Sequence, residues 1–312
     1  MRSYFTRRLI QALPLLIGIA IVSFLFMQAM PGGPDTMLAR NSRMSPEQLA
    51  LVRRSMGLDQ PVVVQLGKWL LNLARGELGL SFTQFRPVSL VIVERIGPTL
   101  RLVSVAIVIS LILAVIVGVL SALYRHTLFD YITTAVSYAG LALPVFWVAL
   151  VLQLFFSLYL GWLPSADMQS DRFNPLLHLI LPAATLAIGT VASWSRYIRA
   201  AMLEIIGLDF IRTARAKGLG KWQVVLRHAL RNALIPFVTV VALDIPYYLT
   251  GAVLTERVFS WPGLGRLFFE SLTARDYPVL MGLLAYSAVL IVVFNLIADL
   301  LYALLDPRIK YQ

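Results

Sequence analysis

Hydrophobic residues fall along this chain in long uncharged blocks rather than in strict alternation. A block of about 20 apolar residues crosses a bilayer as a helix, and two such blocks are unbroken, Leu9–Met30 and Leu102–Tyr124. A third uncharged stretch begins at Tyr131 and runs past Pro164. It is too long for one straight helix, and the pattern predicts a span from about Thr133 to Tyr159, kinked near Gly140 and Pro144. Pro175–Trp194 is the fourth block, Ala233–Thr255 the fifth, with Asp244 inside it, and Val279–Leu305 the sixth, with Asp299 near its end. Six spans place both termini on one side.

Two segments between the blocks carry their own pattern. In 31–98, Ser45-Pro46-Glu47-Gln48 reads as a helix start: Ser45 as N-cap, Pro46 in the first turn, Gln48 closing a capping box, and Gly57 as the stop. Val62, Val63, Leu66, Trp69, Leu70 and Leu73 then recur at helical spacing, and Gly76 ends that run. Both helices are too short to span. They fit a cap on the outer ends of the bundle or a docking surface for an external partner, and the two readings are compatible.

The second segment, DFIRTARAKGLGKWQVVLRHALRNALIP from Asp209 to Pro236, predicts a short helix, a break at Gly218-Leu219-Gly220 and a second helix entering the fifth span. Ile211, Ala214, Gly218, Trp222 and Val225 fall near one face. Ala214 and Gly218, four apart, would leave a notch for close approach of another surface. The competing physical reading is an interfacial helix whose basic face lies on anionic lipid headgroups.

Composition agrees with a membrane protein. Of 312 residues, 59% are hydrophobic and 14% charged, with mean hydropathy +0.78; a soluble domain has about a quarter of its residues charged. The net charge of +11 comes from loops beside the spans and implies no nucleic acid partner. Arg2, Arg7, Arg8, Arg125, Arg308 and Lys310 share one side with the cluster between spans four and five: Arg196, Arg199, Arg212, Arg215, Lys217, Lys221, Arg227 and Arg231. The short loops opposite carry Arg172 and Arg257, Arg266 and Arg275. The first side is therefore expected to be cytoplasmic. The first apolar block is too long for a signal peptide, and no small-residue cleavage site follows it.

Several chemistries have no residues to carry them. There is no cysteine, and the three histidines, His126, His178 and His228, show no ligand spacing. Gly67-Lys68 and Gly220-Lys221 lack the rest of a phosphate loop, and no HExxH, GxSxG or paired-carboxylate set occurs. No cofactor is implied. A membrane-embedded enzyme lacks its catalytic set, which leaves a transport pathway. Asp244 would serve a proton-coupled secondary transporter, but six spans show no visible repeat.

Thr213-Ala214-x-x-x-Gly218 resembles the cytoplasmic "EAA" loop of ABC importer permeases, and RTARAKG followed by RHALRNALIP resembles its peptide-transporter form. RRLIQALPLLIGIAIVSFLFMQAMPGGP, MGLDQPVVVQ (56–65), ERVFSWPGLGRL (256–267), RDYP (275–278) and LLYALLDPRIKY (300–311) resemble the dipeptide and oligopeptide permeases with a long first external loop. Arg212 stands where the general loop has Glu, and Arg231 where it has Pro; the first proline is Pro236.

The resemblance implies an all-α integral membrane protein of six transmembrane helices with the type I importer, MetI-like fold. It implies a first span in 1–30, an external loop 31–98, a core 99–305 with the cytoplasmic coupling loop 196–231, and a tail 306–312. It implies a bacterial or archaeal cytoplasmic membrane. The implied partners are a second homologous permease, two cytoplasmic ATPases, a substrate-binding protein and membrane lipid. The cargo would be di- or oligopeptides, with nickel, opines or oligosaccharides as alternatives in the same family. Arg212, Thr213, Ala214, Arg215, Lys217, Gly218 and Leu219 would form the ATPase-coupling loop. Gln65, Trp261 and Arg266 are candidates for binding-protein docking. Asp244, Tyr247 and Tyr248 are candidates for the translocation path; the family motifs do not cover Asp244, which reads equally as a structural pair with an arginine or a backbone group at the subunit interface.

Overall fold

Five helices are long and apolar enough to cross a membrane, and a sharply bent pair of shorter helices makes a sixth crossing if counted as one span. The computed structural model describes residues 2–29, 47, 54, 57, 59–165 and 174–305, and no β-strand occurs among them. The chain divides into two compact units, 1–97 with 262–296 and 98–261 with 297–312.

The first unit holds α1 (Arg2–Ala29), α2 (Val62–Ala74), the start of α3 (Val88–Leu123), α10 (Leu264–Ala274) and most of α11 (Tyr277–Leu305). The expected capped helix at Ser45 lies outside the described residues, apart from Glu47 and Arg54, both helical, and Gly57, with φ +66°. α2 forms where its apolar spacing predicts. Its C-terminus closes as a Schellman turn, with Gly76 at φ +78° and the Gly76 and Glu77 N–H groups donating to Leu73 and Asn72. α2 meets α1 through Phe24 and Trp69, ring centroids 6.1 Å apart, and a Gln28–Gln65 hydrogen bond of 2.8 Å. The unit's core is Val88, Val91 and Ile92 of α3 against Leu264 and Leu267 of α10 and Val279 and Leu283 of α11.

A carboxylate closes this unit. Asp276, 1% exposed, accepts from the Ser81 and Thr83 hydroxyls and from the Phe82 and Thr83 N–H groups. Four donors from one short loop converge on the turn between α10 and α11, where Arg275 takes the left-handed conformation at φ +55°. The RDYP motif is thereby a clasp for residues 81–83.

The second unit is built around α6 (Leu177–Ile206), whose Trp194, Ile198 and Met202 are fully buried. α4 (Leu128–Ala142), α5 (Val145–Leu152), α8 (Arg231–Gly251) and α9 (Val253–Val258) pack on it. The expected kink in the third span is a break: the pair on either side of Leu143-Pro144 is bent by 107°. Pro144 has no N–H to give Gly140 and forces Leu143 into extended backbone, φ −79° and ψ 130°. Beyond α5 the helix widens into a π-helical stretch, Gln153–Tyr159.

α3 is 36 residues long, about 54 Å at 1.5 Å per residue, well beyond a bilayer core of about 30 Å. The block expected from Leu102 lies inside it, and the helix itself begins earlier, at Val88. Gly118 lets it approach α6: a Cβ there would lie 2.6 Å from the Ser195 carbonyl oxygen. The cytoplasm-facing ends predicted for α4 and α6 are locked by an ion pair, with the Arg199 guanidinium donating two bonds to Asp130, 2.7 and 2.8 Å. The His126 N–H also donates to that carboxylate at 3.1 Å.

Candidate functional site

Residues 209–236 fold as the sequence predicts, into a short helix, a glycine turn and a second helix. α7 (Asp209–Ala216) is followed by a helical turn at Lys221–Gln223, a π-helical stretch Val224–Leu230, and α8. The turn is a complete Schellman motif. The Gly218 N–H donates to Arg215 and the Leu219 N–H to Ala214, with Gly218 at φ +79°. Glycine is favoured there because the left-handed conformation costs an L residue about 1–2 kcal/mol.

The notch expected between Ala214 and Gly218 is not formed. Ile211 and Ala214 are buried, at 0% and 7% exposure, in a helix that packs on residues 224–230 of its own chain. A Cβ on Gly218 meets nothing within 4 Å. Trp222, placed on the same face by the sequence, is exposed. The side of α7 free to meet another molecule is the opposite one, carrying Asp209, Arg212, Thr213 and Ala216, flanked by Arg215 and Lys217. Arg212 pairs with Asp209 at 3.2 Å, both side chains well exposed, so the pair adds under about 1 kcal/mol and leaves the surface open to a stronger partner. Nearby Lys221 sits 5.4 Å over the Tyr124 ring.

Among the described residues of this chain, the partner of Asp244 is a tryptophan rather than an arginine or a backbone group. The indole N–H of Trp194 donates to its Oδ2 at 2.7 Å. The carboxylate stands on the wall of a cavity of about 340 Å³ between α4, α6 and α8, lined also by Gly140, Thr185, Thr190, Ser193 and Tyr248. Trp194 is held by edge-on contacts with Phe237 at 5.7 Å and Tyr248 at 6.2 Å. A charged carboxylate at such a depth costs about 2.5–3.5 kcal/mol on insertion scales, and one neutral donor offsets only part of that. The side chain of Tyr247 lies outside the described residues.

The candidate docking residues differ in their local surroundings. Gln65 is half-buried and donates to the Gln60 carbonyl at 2.8 Å, and Arg266 pairs with Glu270 at 2.6 Å one helical turn on. Trp261 requires a correction. It is 2% exposed, and its indole N–H donates to the Pro98 carbonyl at 3.0 Å, so its side chain packs the second unit and offers no docking surface. Beside it Glu256, fully buried, accepts from the Thr99 hydroxyl at 2.7 Å. Glu256, Phe259 and Trp261 of the ERVFSWPGLG motif therefore pack inside the second unit, while Arg257 is exposed. His178 is buried in α6.

Sequence reasoning did not pair Asp130 with Arg199 and gave no role to Asp276 or Glu256 although both lie in quoted motifs, because their partners are 69, about 195 and 157 positions away.

These features define a polytopic α-helical membrane protein with an exposed basic helix–turn between two spans. The chain belongs to the family described as the binding-protein-dependent transport system inner membrane component, whose model matches residues 114–311, with the corresponding N-terminal model matching 1–103. It is 43% identical to the oligopeptide transport system permease protein AppB of Bacillus subtilis over 317 aligned positions, all of both chains. It is 38% identical to the dipeptide transport system permease protein DppB of Alkalihalophilus pseudofirmus and 36% to the glutathione transport system permease protein GsiC of Escherichia coli, again over the whole of each chain. A solved structure of the inward-facing MetNI methionine ABC transporter superposes with a TM-score of 0.57 at 18% identity, covering 69% of this chain and 96% of that one. That likeness bears on the fold, which is MetI-like as expected.

Proposed function

We propose that this chain is one of two permeases in an ATP-driven importer of di- or oligopeptides, with both termini in the cytoplasm. The observation that carries the reading is the exposed basic face of α7, rigidly capped at Gly218, in a chain aligned end to end with peptide permeases. α7 seats on a cytoplasmic ATPase. Closure of two such ATPases moves the permeases as rigid bodies between inward- and outward-facing states. Gln65 and Arg266 contribute to the face that receives a substrate-binding protein, and Asp244 and Tyr248 line the path.

The test is reconstitution in proteoliposomes of the co-expressed permeases, ATPases and binding protein. The complete set takes up a tripeptide only with ATP inside or outside on the ATPase face, and this chain alone takes up none. ATP-dependent uptake by the chain alone would overturn the assignment.

A further inference from the structure

The cavity at Asp244 has a one-sided chemistry. Among the described residues, its lining contains no arginine, lysine or histidine. The Trp194 N–H is already committed to Asp244 Oδ2. The hydroxyls of Thr185 and Thr190 donate to the Leu181 and Leu186 carbonyls of their own helix, at 2.9 and 3.0 Å, which leaves their oxygens as acceptors. Among the described residues, Oδ1 of Asp244 has no hydrogen-bond partner. The Ser193 and Tyr248 hydroxyls can donate or accept, so what sets the chemistry of the described lining is its one charge, the Asp244 carboxylate, in a pocket with mostly apolar and aromatic walls. An anion or a further carboxyl group is repelled by such a lining. A group with several N–H donors and a positive charge completes it.

We infer that this cavity is a subsite for a primary ammonium group, the N-terminal ammonium of a peptide in passage, with Asp244 as its counter-charge. The ammonium has three donors: one meets Oδ1 of Asp244, and threonine hydroxyl oxygens on α6 accept the others. Trp194 is a positioning residue. Its N–H fixes the carboxylate rotamer so that Oδ1 faces the cavity, and it is itself immobilised by Phe237 and Tyr248. Burial out of water strengthens the contact. The inference deepens the peptide-importer reading and rests on it.

Asp244→Asn is the useful variant, because the amide oxygen still accepts from Trp194 while the charge is gone. The complete complex, labelled with 5-fluorotryptophan and held in nanodiscs without its binding protein, is titrated with dialanine and with N-acetyl-dialanine. The Trp194 fluorine resonance, assigned by its absence in Trp194→Phe, reports occupancy. Dialanine is expected to shift it, N-acetyl-dialanine to bind at least about ten-fold more weakly, Asp244→Asn to lose the preference, and Asp244→Glu to keep it. Equal response to the two peptides, or a preference that survives in Asp244→Asn, overturns the subsite. So does failure of Asp244→Asn to assemble with the second permease, which would make the aspartate a pair across the subunit contact. If the wild-type set takes up peptides while the resonance ignores them, the subsite alone falls. If that set takes up no peptide, both readings fall.

Discussion

Arg199 grips Asp130 through two parallel hydrogen bonds, Nε to Oδ1 at 2.7 Å and the guanidinium NH2 to Oδ2 at 2.8 Å. The pair joins the start of α4 to the end of α6, beside the basic segment that follows α6. A bidentate fork holds direction as well as distance, so it fixes the base from which α7 projects. Arg199 is 28% exposed and Asp130 4%. Breaking a fully buried pair costs about 3–5 kcal/mol, and the partial exposure of Arg199 brings the expectation to the low end or below. Asp130→Asn and Arg199→Ala should each lower the thermal unfolding midpoint of the purified complex, and Arg199→Lys should recover only part, since an ammonium cannot supply the fork. Midpoints equal to wild type would show that the pair is dispensable.

Asp276 should hold the loop at Ser81 closed. Its carboxylate is the acceptor for four donors, and leaving a buried donor unmet costs about 1–3 kcal/mol. Asp276→Ala should therefore free the loop without removing any span. With Gln84→Cys as a reporter, labelling by a membrane-impermeant maleimide should rise several-fold in the Asp276→Ala background. An unchanged labelling rate would mean the loop is held by its apolar neighbours, Phe82, Tyr277 and Leu280.

Much of this architecture is legible in the sequence, and the limits are physical. Apolar blocks set five spans because a bilayer demands uninterrupted helix hydrogen bonding over a known length. The third block, expected as one kinked helix from about Thr133 to Tyr159, is two helices that start earlier, at Leu128, and bend by 107°, because a proline predicts a departure from straightness without its angle. The segment 209–236 was legible because Gly218 and Gly220 are local signals. Which face of α7 points inward was not, because Ile211 and Ala214 are buried by residues 224–230 across the turn. Trp261 was misplaced for the same reason: an aromatic in an external loop looks exposed until Pro98, 163 residues earlier, supplies a carbonyl.

Gly218 should matter through its backbone. Any side chain has room but no favourable conformation at φ +79°. Asparagine tolerates this region better than alanine, and alanine better than a β-branched residue. ATP-dependent uptake by the complete complex should therefore fall in the order glycine, asparagine, alanine, valine, with Gly218→Ala reduced several-fold for about 1 kcal/mol of strain. A Gly218→Val complex as active as wild type would separate the turn from coupling.

The central claim is that the exposed face of α7 seats on an ATPase. Ala216 lies on that face, exposed and away from Ile211 and Ala214, so Ala216→Phe adds bulk to the contact without touching the chain's own core. Overpacking of a close contact costs about 1–3 kcal/mol, and 1.4 kcal/mol is a factor of about ten in affinity. A helix lying on lipid would gain from the added ring. The measurement is recovery of the ATPases with the affinity-tagged chain, wild type against Ala216→Phe, from membranes co-expressing the whole set. The account predicts that recovery falls at least about five-fold while the second permease still co-purifies. Full recovery of the ATPases, with uptake unchanged, would contradict it.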